Sequence, residues 1–319
     1  MTRAVAVFGR QTEAPCALLL QALQQQGTPV HVLDPTVGKR AQTHWGLDAH
    51  GQLHGQVLVD GRQVDLQEIG GLYLRPVDDR RLGLGHGAAL LAAQAWTQAW
   101  IEIGELAPWR VVNRLSSMAS NGSKPLQSHC LAAAGFDVPP MLQSNNPEAV
   151  LAFEAEHGPL IYKSASGVRS IVRTLDADAR ARLQAVRVTP TLFQKRLRGT
   201  NIRVHVIADE VFATEIDSEA LDYRYPGHVS ADLLTDAIGD AGHSGVTALR
   251  ATRLPLDVQA RCVAATLSLG LAFAGLDLML ADDGCVYCFE ANPSPGYSYY
   301  EEATGQPIAA ALARHLAGD

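Results

Sequence analysis

The stretch from Gly275 to Gly305 constrains this chain more than any other. Two short apolar runs, Leu276 to Ala281 and Cys285 to Ala291, flank an Asp283-Gly284 pair, the strongest short-range signal for a β-hairpin closed by a two-residue turn. Such a turn faces Asp282 with Cys285, and counting back from it sets Asp277 directly opposite Glu290. Alternate strand residues share a side, so Asn292 joins Glu290. Opposed residues have Cβ atoms roughly 4.5–5.5 Å apart, so two carboxylates and an amide oxygen converge in an otherwise apolar hairpin. Like charges so placed repel. A hard cation between them removes the repulsion, and an all-oxygen set of few protein ligands suits Mg²⁺ carrying waters and phosphates better than zinc. The alternative is a solvated edge on which Asp277 and Glu290 never meet. Asn292-Pro293-Ser294-Pro295-Gly296 then stops the strand and turns the chain.

These two runs and their tail resemble the C-terminal metal-binding signature of ATP-grasp ligases. The likeness is to the branch that includes ribosomal-protein glutamate ligases and the graspetide (microviridin-type) synthetases, which cyclise ribosomally made peptides. The stretch from Tyr299 to Ala313 resembles the same branch, and the resemblance runs from about Asn113 to the C-terminus. It implies that Asp277, Glu290 and Asn292 hold Mg²⁺, or Mn²⁺ as a substitute, against ATP.

Length and charge narrow the rest. A chain of 319 residues with 47% hydrophobic content can bury two or three cores. A formal net charge of −7 gives no general basic surface, so nucleic acid is not an expected partner. No apolar run reaches the roughly 20 residues that span a bilayer, and the N-terminus lacks the order of a secretion signal. The expectation is a cytoplasmic protein with no membrane partner. Cys16, Cys130, Cys262, Cys285 and Cys288 form no spaced framework and fit a reducing compartment.

Along the chain, Ala4 to Gly9, a helix-like run from Glu13 to Gln26, and Val30 to Pro35 read as β-α-β, the start of a parallel sheet. The three-glycine dinucleotide fingerprint is missing, which argues against a nicotinamide site. Trp45 to Asp65 reads as small antiparallel strands and Gly71 to Pro76 as another strand. Arg75 at its end either meets a carboxylate substrate or is a surface arginine before a proline. From Gly87 to Leu106 an apolar helix carries Trp96 and Trp100 at i, i+4; one face holding both reads as core or as a subunit interface, the latter compatible with a homodimer.

Ser123-Lys124-Pro125 opens a helix with a capping serine and a proline in its first turn. A lysine there is misplaced unless an anion binds, because that end of a helix favours negative charge. Asn146-Pro147-Glu148 starts a second helix ending at Gly158. Pro159 to Lys163 is a strand, Ser164 to Gly167 a small-residue loop, and Ser170 to Arg173 the return strand. Lysine beside such a loop offers a triphosphate a point charge and approachable N–H groups. The resemblance assigns nucleotide phosphate binding to Lys124, Lys163, Ser166 and Gly167, and adenine reading to the hinge strand at Gln194 and Lys195. Thr200 to Ile216 reads as a hairpin about Asp209 with Asn201, Arg203 and His205 on one face. Arg203 matches an arginine that contacts phosphate or acyl-phosphate, and Arg224, in Asp222-Tyr223-Arg224, matches one that stabilises the transferred phosphoryl group.

The fold class expected is α/β and α+β: an ATP-grasp fold with an N-terminal Rossmann-like domain at 1–109, a small central lobe at 110–191 and a C-terminal antiparallel-sheet lobe at 192–319. The implied activity is ATP- and Mg²⁺-dependent ligation of a peptide or amino-acid carboxylate to an amine, or to a hydroxyl, through an acyl-phosphate. A kinase that stops at the phosphorylated product and a nucleotide-binding module without turnover are the alternatives.

Overall fold

The computed structural model describes residues 3–164, 172–218 and 246–318. The chain opens with β1 (Ala4–Phe8), α1 (Ala14–Gln25) and β2 (Val30–Leu33), the expected β-α-β unit. A side sheet of β3 (Ala41–Leu47), β4 (Leu53–Val59) and β5 (Arg62–Asp65) follows, antiparallel throughout. Then come β6 (Ile69–Leu74), α2 (Ala88–Leu106) and β7 (Arg110–Val112). The order β2-β1-β6-β7 makes a parallel sheet. Its strands are buried on both faces, as parallel sheets are. Val5 and Val7 enter one core, whereas Ala6 and Phe8 enter a second that contains Trp96 and Trp100 of α2. The two indole rings meet edge to face, with centroids 5.8 Å apart. The tryptophan pair is therefore core.

Next in the chain are α3 (Lys124–Ala133), β8 (Met141–Ser144), α4 (Pro147–His157), β9 (Leu160–Ser164), β10 (Arg173–Thr174), α5 (Ala177–Ala181) and β11 (Thr191–Lys195). The helix starts read from sequence hold in detail. Ser123 accepts from the Leu126 N–H at 3.4 Å, and Asn146 from the Glu148 and Ala149 N–H groups at 2.9 and 3.3 Å. Strands pair antiparallel in the order β10-β9-β11-β8, and Val150, Leu160, Leu175, Leu183 and Phe193 form a core of their own.

The last part contains β12 (Gly199–Ile207), β13 (Glu210–Ser218), β14 (Val246–Thr252), α6 (Leu256–Ser268), β15 (Phe273–Ala281), β16 (Val286–Asn292), α7 (Ser298–Thr304) and α8 (Ile308–Ala317). Its sheet is antiparallel in the order β14-β13-β12-β15-β16. Ile202, Val204, Val206, Ala274, Leu276 and Leu278 share one face and pack with α6 and α3. On the other face, Ile207 and Phe273 join the core of α1, α8 and the first sheet. The first and last parts of the chain thus share a core, whereas β8 to β11 have a separate one. Among the described residues no helix is long and apolar enough to cross a membrane.

Trp100 has no exposed surface and Leu91, on the same helix, is 65% exposed. Trp100→Ala is expected to cost about 3–5 kcal/mol in urea unfolding. Leu91→Ala should stay within about 0.5 kcal/mol of the parent.

Candidate active site

The hairpin that carries the opposed carboxylates is built differently from the two-residue turn expected. Ala281 N–H donates to the Cys285 carbonyl at 3.0 Å and Gly284 N–H to the Ala281 carbonyl at 2.9 Å, so the loop is three residues, Asp282 to Gly284. Asp282 does not face Cys285; its N–H donates to the Arg198 carbonyl at 3.0 Å. Gly284 takes the left-handed position such a loop requires, at φ 85°. This loop displaces the tip register by one residue. A β-bulge restores it: Leu278 faces Cys288 but Asp277 faces Glu290, leaving Phe289 as the extra residue. Asp277 does lie opposite Glu290, through two shifts that cancel.

The bulge also settles which way side chains point. Cys288 and Ala291, three residues apart, both enter the core under the sheet. In an unbulged strand they would face opposite sides. Glu290 and Asn292 are left on the other face with Asp277, Arg203 and His205.

Across that face runs one row of directly paired residues: Thr214, Arg203, Asp277 and Glu290. Arg203 Nη1 donates to Asp277 Oδ1 at 2.6 Å, with 6% and 9% of the two side chains exposed. The guanidinium lies across Gly275, where a Cβ would come within 2.2 Å of Nη2. It also sits 5.9 Å from the centre of the Tyr300 ring, a cation–π distance. His205, one row along, is fully buried between Phe273 and Tyr300. Burial, reinforced by the Arg203 charge, pushes its pKa down to about 3. The ring is neutral, with its proton on Nε2 facing the Gly296 carbonyl 3.1 Å away.

Asn292 Oδ1 accepts from the Ser294 N–H at 2.9 Å, which fixes its amide. This face of the hairpin offers two carboxylates, Asp277 and Glu290, and the Asn292 amide oxygen, hard donors without thiolate or imidazole, and a set of that chemistry fits Mg²⁺. Among the described residues no group of three or more His, Cys, Asp or Glu gathers to hold a metal.

Three side chains from outside the sheet fix the loop after β16, and only their positions in space reveal them. Arg75 pairs with Glu13 at 3.3 Å and donates from Nη1 to Ser294 Oγ at 3.1 Å and the Pro295 carbonyl at 3.3 Å. It ties the first sheet to the site loop. Asn113 donates to the Phe273 and Pro293 carbonyls, both at 2.6 Å, and accepts from the Ala272 and Phe273 N–H groups. Tyr297 donates to the Pro15 carbonyl at 2.5 Å. A fourth, Gln127, binds the backbone of Ala291. The signal for Gln127 was a polar residue on the apolar face of α3, beside Leu131.

The nucleotide-side residues expected lie on α3, β9 and β11. Lys124 is the first residue of α3, and Lys163 lies on β9 opposite Leu192 of β11. Gln194, 2% exposed, has a buried Oε1 with no hydrogen-bond partner among the described residues. The N–H groups of Lys195 and Arg196 are already taken, by the Pro140 and Pro159 carbonyls at 3.0 and 2.8 Å. Those two amides are therefore spent inside the protein. Ser166, Gly167 and Arg224 lie outside the described residues, as do Asp222, Tyr223 and the connection from Asp240 to Ser244.

The fold is the ATP-grasp fold. The chain is similar over its whole length to the ATP-grasp ligase PsnB, solved with a phosphomimetic variant of its minimal precursor, Mg and ADP: 26% identity, 99% of this chain and 98% of that one, TM-score 0.74. An ATP-grasp ligase associated with ribosomally made peptides in Chryseobacterium gregarium, solved with ADP and a leader and core peptide, shares the fold at 17% identity, with TM-score 0.77 over 99% and 97% of the two chains. Among curated proteins, a probable alpha-L-glutamate ligase of Chromohalobacter salexigens is 24% identical over 216 residues, 65% of this chain and 66% of that protein. Matches to the curated relatives span 36%, 53% and 66% of their lengths. No family model matches the chain.

Removing Arg203 leaves the Asp277 carboxylate buried without its paired cation. Arg203→Leu is expected to lose about 3–5 kcal/mol in urea unfolding with chelator present, and Asp277→Asn in the same chain should recover part of it. The depressed pKa of His205 makes a contribution that is complete above the unfolded-state value of 6.5 and lost as the pH falls toward 3. Its slope is at most about 1.4 kcal/mol per pH unit. Unfolding curves between pH 7 and pH 4 should show that slope in the parent and lack it in His205→Gln.

Proposed function

We propose that this chain is an ATP- and Mg²⁺-dependent ligase that activates the carboxylate of a peptide or amino acid and joins it to an amine or a hydroxyl. The observation that carries the reading is the directly opposed Asp277 and Glu290, with Asn292 beside them and Arg203 holding Asp277. The ADP, Mg and precursor peptides bound by the similar ligases support it.

Asp277, Glu290 and Asn292 would hold Mg²⁺, which supplies charge neutralisation between phosphates when bound. Lys124 and Lys163 would hold phosphate oxygens as point charges, with Ser166 and Gly167 as backbone donors. Gln194 and Lys195 would line the base, and the buried Oε1 of Gln194 is an acceptor suited to an amino group. Arg203, which holds Asp277, would contact phosphate or the acyl-phosphate, and Arg224 would meet the transferred phosphoryl group. In the reaction a substrate carboxylate oxygen bonds to the γ-phosphorus as the bond to ADP breaks. The amine or hydroxyl then bonds to the acyl carbon, phosphate leaves with the former carboxylate oxygen, and the nucleophile gives up a proton.

The same reading takes residues 1–109, 110–191 and 192–319 as three lobes, with the nucleotide between the last two. It makes the chain a cytoplasmic enzyme, homodimeric if a face of the first lobe serves as the interface, with no nucleic-acid partner. The test is Mg²⁺-dependent ADP release with pooled amino acids and peptides, with mass spectrometry of the products. A product lighter by one water than its precursors is expected, and hydroxylamine should trap the acyl-phosphate. Glu290→Gln is expected to abolish ADP release while keeping the parent's circular dichroism; an active, folded variant would remove the metal site from the reading.

A further inference from the structure

Among the described residues β16 is the edge strand of its sheet, and its outer side meets only an isolated bridge between Tyr287 and Asp137. At Ala291, fully buried between Glu290 and Asn292, the backbone groups on that side cannot turn to water. One side chain pairs both. Gln127 Nε2 donates to the Ala291 carbonyl at 2.8 Å, and the Ala291 N–H donates to Gln127 Oε1 at 3.1 Å. The amide of Gln127 stands where a peptide group of a further strand would stand, and it is itself only 4% exposed. On the other flank of Phe289, the Cys288 N–H donates to the Asp137 carbonyl at 2.9 Å. The bulge is therefore gripped from outside on both sides by α3 and the segment that follows it.

Gln127 lies three residues after Lys124, within the first turn of α3. The strand that presents two of the three oxygen ligands and the helix that presents the phosphate lysine pack through Leu131, Cys288 and Ala291, and this amide is their polar link at Ala291. We propose that Gln127 is a positioning residue: it holds Glu290 and Asn292 at a fixed offset from the N-terminus of α3, so that the metal ligands and Lys124 move as one piece. The inference rests on the ligase reading for its metal and nucleotide.

A purely structural amide would affect stability alone; a positioning amide also sets metal affinity, as groups that orient a ligand shell do, typically by about 10–100-fold. The experiment measures Mn²⁺ binding to the ADP complex by electron paramagnetic resonance, with ADP binding in chelator and hydrogen exchange at the Ala291 amide alongside. Gln127→Leu removes both bonds. Gln127→Glu keeps an acceptor for the Ala291 N–H and removes the donor, and it carries the test if the leucine variant does not fold. Expected are a roughly tenfold or greater loss of Mn²⁺ affinity in Gln127→Leu, a smaller loss in Gln127→Glu, faster Ala291 exchange in both, and ADP affinity without metal within about twofold of the parent. Unchanged Mn²⁺ affinity in a folded variant overturns the inference and leaves the ligase reading standing. Failure of both variants to fold overturns it too, because Gln127 is then a residue of the fold. Absence of Mn²⁺ binding in the parent's ADP complex brings down the ligase reading and this inference with it.

Discussion

Two carboxylates held side by side on neighbouring strands are a standing repulsion, and much of this protein is arranged around that pair. Arg203 answers half of it, from the next strand in the same row, at 2.6 Å from Asp277. The arginine needs room, which Gly275 supplies, and a wall, which Tyr300 supplies. Glu290 ends the row on β16, the edge strand of the sheet among the described residues. From Thr214 to Glu290 the row runs neutral, positive, negative, negative.

The charge pattern was legible in the sequence, but the backbone that produces it was not. Asp283-Gly284 announced a hairpin, and a glycine in a left-handed position serves a two-residue or a three-residue loop equally well. Nothing local distinguishes them. The choice is settled by burial: a one-residue slip flips every side chain, so Cys288 and Val286 would have left the core. Phe289 absorbs the slip, and no sequence period marks a single bulged residue. The pairing of Asp277 with Glu290 was thus read correctly from a turn that does not exist.

Helix starts at Ser123 and Asn146 were legible because a cap is a local device of three or four residues. The partners of Arg75, Asn113 and Gln127 were opaque for the opposite reason. Each of these three residues is polar, and each has partners more than 150 positions away in the chain: Ser294 and Pro295, Phe273 and Pro293, and Ala291. A sequence shows that such a residue wants partners, and only the fold shows which carbonyls are waiting. Arg75 is an example: a charged residue at a strand end reads as ligand-facing or solvated, and the fold shows it closing a joint between the first sheet and the loop after the ligands.

The core shared by β1, α1 and α8 has a meaning for how the molecule comes to exist. Val5 and Val7 lie on one of the first strands made, yet their apolar cover includes Ile308, Leu312 and Leu316, about three hundred residues later. Burial is what stabilises a strand, and this face has no full burial until α8 has been synthesised. That face therefore stays open until the C-terminal helix is made, whereas the opposite face, with Ala6 and Phe8, is covered by Trp96, Trp100 and Ile103 of α2.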